Sequence, residues 1–239
     1  MSHAPRFHDK QSAFLVLFDI DGTLLSADRS GYFALEQAVI EILESPAGLS
    51  GIRLDGNTDS NALIQICQRD GKPLPQPPVI ERFKRRYVEI LKKEIVGKGH
   101  LKPGVHELLR QLSVRSDVCV GLVTGNIREG AEIKLHRFGL DRFFAFGAFG
   151  CEHPHRFELV GMAIKRAEAF SGVAFRSSCI TVVGDTIHDV TSCHPWKVRS
   201  LGVATGSVSV DELQSAGAKW ALSDLSETSR VVSLLTQEA

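Results

Sequence analysis

The stretch Phe14 to Leu25, FLVLFDIDGTLL, constrains this chain more than any other. Its apolar, partly β-branched start reads as a strand buried on both faces, and it ends abruptly at Asp19-Ile20-Asp21-Gly22-Thr23. Side chains alternate along an extended chain, so Asp19 and Asp21 fall on one side beyond the strand end, close enough to share a cation. Two like charges held together repel unless something cationic stands between them, and the pair therefore asks for a metal. The plain alternative is a strand-to-turn junction with solvated acids. Gly22 lets the chain turn away without a clash.

Length allows one large domain or a core carrying a smaller insert: the chain has 239 residues, and 43% hydrophobic content supplies a sizeable core. With 28 basic and 28 acidic residues the formal charge is zero, so neither nucleic acid nor an anionic membrane is favoured as a partner. No apolar stretch is long enough to span a bilayer, and the opening MSHAPRFHDK lacks a signal-peptide core and reads as a frayed tail. Cys67, Cys119, Cys151, Cys179 and Cys193 form an odd, scattered set that suits reduced thiols, which places the protein in the cytoplasm.

After the first strand, Phe33, Leu35, Ala38, Val39, Ile42 and Leu43 recur at helical spacing. Thr58 or Asp59 offers the cap of a second helix, which Gly71 and the run Pro73 to Pro78 terminate. A third helix buries Val79, Ile80, Phe83, Tyr87, Ile90, Leu91 and Ile95. Its other face carries Arg82, Arg85, Arg86, Lys92 and Lys93, either a solvated face or a basic lid that draws in an anion. Residues 26–100 thus read as an all-helical insert, and 1–25 with 101–239 as the core. From Lys102 on, helix and strand alternate, with strands expected at Val118 to Val123, Phe143 to Phe149, Cys179 to Val183 and Val198 to Ala204. Helices are expected near Val105 to Leu112, Ile127 to Phe138 and Glu158 to Phe170, and from Asp211 onward helical cover with a short edge strand near Ala221. This rhythm predicts an α/β fold, a doubly wound parallel sheet with helices on both faces.

In such a sheet ligands bind beyond the carboxyl ends of the strands. The polar candidates all fall there: Asp19 and Asp21, then Thr124-Gly125-Asn126, then the loop Gly150 to Arg156, then Gly184-Asp185-Thr186-Ile187-His188-Asp189. Thr124 also suits a helix N-cap, and the amides of Gly125 and Asn126 suit an anion at a helix start. Cys151, His153 and His155 share a loop, but no fourth ligand stands at a metal-site spacing. His188, a lone histidine among carboxylates, reads as a surface residue.

DxDGT after an apolar strand resembles the first signature of the haloacid dehalogenase superfamily. Thr124 at a strand end resembles the second and GDTIHD the fourth. The resemblance covers nearly the whole chain and lies nearest the phosphoglycolate phosphatase-like branch. It implies a Rossmann-like core with a C1 helical cap over the site, and Asp19 as nucleophile with Asp21 as general acid and base. Thr124, with Gly22, Gly125 and Asn126, would bind the phosphoryl group. Mg²⁺ would be held by Asp19, Asp185 and the carbonyl of Asp21, with Asp189 acting through water or neighbouring groups. The third signature, a Lys or Arg that grips phosphate, has no Lys-Pro pair here, and Lys134, Arg156 and Lys165 compete for it. Lys165 lies about nine residues into its helix, roughly 13 Å from the rim at about 1.5 Å per residue, and Lys134 is similarly displaced. Arg156 stands at the right height and can grip two oxygens.

The resemblance therefore implies a Mg²⁺-dependent phosphatase acting on a small phosphorylated metabolite, as a monomer or homodimer. Asp21 argues against dehalogenation, which needs no second acid. A phosphomutase would share every catalytic residue named. A phosphonatase would need an imine-forming lysine, and Lys72, Lys84, Lys92, Lys93 and Lys98 are available in the insert. A non-catalytic phosphate-binding module would not need both Asp19 and Asp21. Ser26, Arg53 and Gly56 to Asp59 either approach the substrate or serve merely as turns between helices.

Overall fold

The computed structural model describes residues 13–238, so the opening segment read as a tail lies outside the described residues. β1 (Phe14–Phe18) is wholly buried, as its unbroken apolar run requires. It pairs in parallel with β4 (Val118–Thr124) on one side and β6 (Ile180–Gly184) on the other, in the registers Phe14↔Val118 and Leu15↔Ile180. With β5 (Gly147–Phe149), β7 (Arg199–Val203) and β8 (Trp220–Leu222) the order is β5-β4-β1-β6-β7-β8, every pair parallel. Alternation along β1 sends Phe14, Val16 and Phe18 into one core and Leu15 and Leu17 into another. The first core is completed by α4 (Val105–Ser113), α5 (Arg128–Arg137) and α9 (Thr228–Leu235), the second by α6 (Arg156–Ser171). Helices thus cover both faces of a doubly wound sheet.

Between β1 and β4 run α1 (Ser30–Ile42), α2 (Asp59–Arg69) and α3 (Pro77–Glu94), close to the expected helices. Leu35, Val39, Ile66, Phe83, Leu91 and Ile95 of this segment join the same apolar cluster as β1 and α5. The sequence did not announce how the segment enters and leaves. Its ends pair as a short antiparallel ribbon of β2 (Leu25–Ser26) and β3 (His100–Leu101). Beside the ribbon, Asp28 and Arg29 adopt positive φ (45° and 63°), with the Asp28 carboxylate accepting from Gly99 N at 2.8 Å.

The strand expected over Phe143 to Phe149 is only Gly147–Phe149, and Asp141–Phe143 forms a 3₁₀ turn instead. The aromatic run serves as plugs for two different faces. Phe144 meets Phe18 edge-on at 6.3 Å, whereas Phe146 lies against Phe170 at 5.5 Å. A short α7 (Ile187–Thr191) follows β6, and α8 (Val210–Ser215) covers β7 and β8. Among the described residues no helix is long and apolar enough to cross a membrane.

Candidate active site

β1 delivers Asp19, buried, to the carboxyl edge of the sheet, where its N–H continues the ladder to Val183 O at 2.9 Å. The chain then wraps around Asp185, the acid that follows β6. Thr23 Oγ1 donates to Asp185 Oδ1 at 2.8 Å, and Gly22 turns at φ 84° with its Cα against the same carboxyl. A Cβ at Gly22 would fall 2.2 Å from Asp185 Oδ2, and one at Gly206 only 1.8 Å away, so both glycines are spaces that the Asp185 carboxyl needs. Asp189 completes the set from the start of α7. Its Oδ2 accepts from Thr186 N at 3.0 Å and Thr186 Oγ1 at 2.7 Å, a capping box that fixes the carboxyl.

Arg156 enters from the first turn of α6 and is buried with these acids. Its Nη2 lies 2.9 Å from Asp19 Oδ1 and 2.5 Å from Asp189 Oδ1, and donates to Val123 O at 3.3 Å. Arg156 thus lies at the rim beside Asp19, as its height along the helix suggests, but the same argument misjudges the reach of Lys134. Lys134 is buried and its ammonium reaches Asp21 Oδ2 and Asn126 Oδ1, each at 2.6 Å. Helical side chains lean back toward the helix N-terminus, so the height of the Cα understates the reach of a lysine. Lys165 is exposed and takes no part.

Thr124 is buried and does not cap α5. Its hydroxyl accepts from Asn126 Nδ2 at 2.7 Å and Asn126 N at 3.3 Å, and its own hydrogen meets no acceptor among the described residues. Asn126 therefore spends its backbone N–H on Thr124 rather than offering it to an anion, and enters the site by its side chain, donating to Asp21 Oδ2 at 2.8 Å. His188 is exposed, and the group of described residues able to converge on one ion is Asp19, Asp185 and Asp189, their oxygens within 4.8 Å of one another, not the loop of Cys151, His153 and His155. The Asp21 carboxyl stands outside that group, paired with Lys134.

Three buried carboxylates face one guanidinium. Burial drives the Asp19 carboxyl up to about 6, with the Asp189 and Asp21 charges adding to it and Arg156 opposing. Burial, then the charges of Asp189 and Asp19, drives Asp185 up to about 8. Burial also disfavours the charge on Arg156, but Asp189 and Asp19 more than compensate and keep it ionised. The excess of negative charge, the all-oxygen donor set and the glycine cradle around Asp185 fit a hard divalent cation such as Mg²⁺.

A cavity of about 450 Å³ opens over these groups, with Asp19, Asp21, Thr124, Lys134, Arg156 and Asp185 on its floor. Arg29, Tyr32, Leu54, Asp55, Asn57 and Tyr87 of the helical segment close it from above. Ser26 also lines it, whereas Arg53 does not, and neither does the basic face of α3, where Arg86 pairs with Glu41 and Glu89. That face is solvated and ion-paired, not a lid over the site.

Asp59, read in the sequence only as a helix cap or a loop residue near the substrate, has a further task in the structure. Thr58 caps α2 through Asn61 N at 3.1 Å, which frees the Asp59 carboxylate to cap α5 in its place, accepting from Ile127 N at 2.7 Å. Asp59 N and Ser60 N donate to Gly125 O and Gly150 O at 2.8 and 3.2 Å, and Thr58 Oγ1 to Pro154 O at 2.8 Å. Half-buried at the cavity wall, the Asp59 carboxyl is pushed up to about 6 by desolvation, against the Ile127 N–H and Lys134. The native state then holds an extra proton between the usual carboxylate range and about pH 6, so Asp59 costs stability as pH rises through that window. Asp59→Asn keeps an acceptor for Ile127 and carries no charge. It should raise Tm by roughly 3–10 °C at pH 7.5, about 1–3 kcal/mol, and leave it unchanged near pH 4. Thermal melts across that range test this, and an equal change at both ends would refute it.

Residues 16–203 match the family described as haloacid dehalogenase-like hydrolase. A phosphoglycolate phosphatase of Synechococcus elongatus is 25% identical over 93% of this chain and 99% of its own length. Another, from Agrobacterium fabrum, is 27% identical over 82% of each chain. Among solved structures, a hydrolase from Pseudomonas syringae shares the fold with a TM-score of 0.70 at 20% identity, over 94% of this chain and 100% of that one. With the match spanning most of the sheet, from β1 through β7, the chain belongs to the haloacid dehalogenase-like hydrolase family.

Proposed function

We propose that this protein is a Mg²⁺-dependent phosphatase that cleaves a small phosphate monoester of the phosphoglycolate kind through an aspartyl phosphate on Asp19. One observation carries this reading. A buried Asp19 held by Arg156 faces the same cavity as Asp21 and Thr124. An Asp19 oxygen attacks phosphorus while the ester P–O bond breaks, the electron pair leaving on the alcohol oxygen, which takes a proton from Asp21. Water then attacks the same phosphorus and gives a proton to Asp21, and the bond to Asp19 breaks to free phosphate. Arg156 and the Thr124 hydroxyl are placed to hold the phosphoryl oxygens through both steps. Asp19 and Asp185 would hold the metal, with Asp189 behind them fixed by Thr186. When bound, the metal supplies positive charge that offsets the acids and the transferring phosphoryl group. The helical segment 26–100, docked through Thr58, Asp59 and Ser60, acts as the lid that excludes water.

The lid side of the cavity supports an ester bearing a second anion. Arg29 lines the cavity, and its guanidinium, stacked 4.9 Å over Tyr32, makes no ion pair or hydrogen bond among the described residues. A phosphonatase is disfavoured because the cavity-lining lysine is Lys134, committed to Asp21, while Lys72, Lys84, Lys92, Lys93 and Lys98 do not line it. The relatives named phosphoglycolate phosphatase agree with this substrate class. Phosphate release from phosphoglycolate, glycerol phosphate and sugar phosphates, with Mg²⁺ and with chelator, tests the reading. Release should require the metal and should favour phosphoglycolate by about tenfold in kcat/KM, the value of one charge-assisted contact. Release from none of the esters would overturn it.

A further inference from the structure

With Arg156 assigned to the phosphoryl group above, Lys134 has no part in the proposed steps, yet it is as buried as Arg156 and lines the same cavity. Its contacts say what it holds. Lys134 Nζ and Asn126 Nδ2 both end on one oxygen of Asp21, Oδ2, at 2.6 and 2.8 Å. Lys134 is tied in turn to Asn126 Oδ1 at 2.6 Å, so lysine, amide and carboxylate form a closed triangle. Among the described residues Asp21 Oδ1 receives no hydrogen bond from protein, although Asp21 lines the cavity. Gly31, at the start of α1, lies directly over the ammonium, and a Cβ there would fall 2.9 Å from Nζ.

Resting on the proposed phosphatase reading, we infer that Lys134 and Asn126 clamp Oδ2 of Asp21 so that Oδ1 faces the leaving oxygen and carries the transferred proton. An oxygen already accepting from an ammonium and an amide has little room for a proton of its own. In the acid form the proton therefore sits on Oδ1, the oxygen left open to the cavity. As the ester P–O bond breaks, that O–H bond breaks too and the proton passes to the alcohol oxygen, leaving a carboxylate already paired with Lys134. Among the described residues Lys134 pairs with Asp21 and Asn126 and makes no ion pair with Asp19. It is a positioning residue, and it joins the acid to the underside of the lid through Gly31.

Leaving groups separate this role from a merely structural one. An alkyl ester such as glycerol phosphate or phosphoglycolate needs its leaving oxygen protonated, whereas p-nitrophenyl phosphate departs as a stabilised phenolate. Because kcat/KM reports the steps up to alcohol release, it is the quantity to compare. Lys134→Met should lower kcat/KM on the alkyl ester about 30-fold more than on the aryl ester, within the range of general acid catalysis. Asp21→Asn should shift the ratio in the same direction, and adding Lys134→Met to it should cause little further loss on the alkyl ester. Equal losses on the two esters, or losses that multiply in the double variant, would overturn the assignment while leaving the phosphatase reading intact. Should Lys134→Met not fold, Asn126→Ala, which removes the other half of the clamp, must still shift the ratio toward the aryl ester, and an unchanged ratio refutes the clamp. If wild type turns over neither ester, the phosphatase reading falls first and this inference with it.

Discussion

Asp19→Asn will reduce phosphate release by at least about 10⁴-fold, the scale of losing a covalent nucleophile, without loosening the fold. The second half of that expectation follows from the electrostatics. Asp19, Asp185 and Asp189 are buried within 4.8 Å of one another with Arg156 as their shared cation, so removing one charge relieves repulsion. Arg156 keeps its partner in Asp189 at 2.5 Å. In chelator, Asp19→Asn should therefore melt no lower than wild type, while its loss of activity is complete at every metal concentration. A variant that loses stability together with activity would mean that Asp19 is a structural ion-pair partner and not the reacting group.

Arg156→Met, a change in the same cluster, should have the opposite effect on stability. It strips the cation from two buried carboxylates, Asp19 and Asp189, the second of which also fixes the start of α7 through Thr186. Leaving buried charges uncompensated costs about 3–5 kcal/mol, which for a chain of this size lowers Tm on the order of 10 °C. Phosphate release should fall about 10³-fold if Arg156 holds the phosphoryl oxygens as proposed. Added Mg²⁺ should recover part of the lost Tm, since a cation bound among the acids replaces some of the missing charge and binds only the folded state. A Tm within about 2 °C of wild type in chelator would show that the acids are already neutral and that Arg156 is not what holds them. The two variants together separate chemistry from architecture at one site.

The physical logic of the seam between the helical segment and the sheet differs from that of the acids. Backbone donors of Asp59 and Ser60 meet carbonyls of Gly125 and Gly150, and a Cβ on Gly125 would fall 1.9 Å from Asn57 O. The helical segment thus meets the Thr124 loop itself, and Asp59 caps the helix that carries Lys134. If the segment moves as the lid proposed above, its docking and the alignment of Lys134 with Asp21 belong to one arrangement.

Much of the fold was legible in the chain. The apolar run ending at Asp19, the alternation of helix and strand after Lys102, and the acids at each strand end were enough to predict a parallel sheet with its polar rim, because periodicity and burial act locally along the sequence. Local signals could also mislead. Phe143 to Phe149 reads as one strand, yet its aromatics serve opposite faces of the sheet, and only tertiary packing decides which of them leave the ladder. Thr124 reads equally as a cap, and only the distant Asp59 carboxylate, which takes over that task, leaves it free for the site.

What the sequence by itself determined was the identity of the acids and the sheet that gathers them, since a buried strand followed by a turn must expose what comes next at its end. What only the tertiary structure decided was the pairing of cations with acids: Arg156 with Asp19 and Asp189, Lys134 with Asp21. Position along a helix fixes where a Cα stands, but a long side chain reaches several ångströms beyond it, in a direction set by the groups packed around it. Which cation meets which carboxylate is therefore a property of the packed molecule and cannot be read from spacing alone.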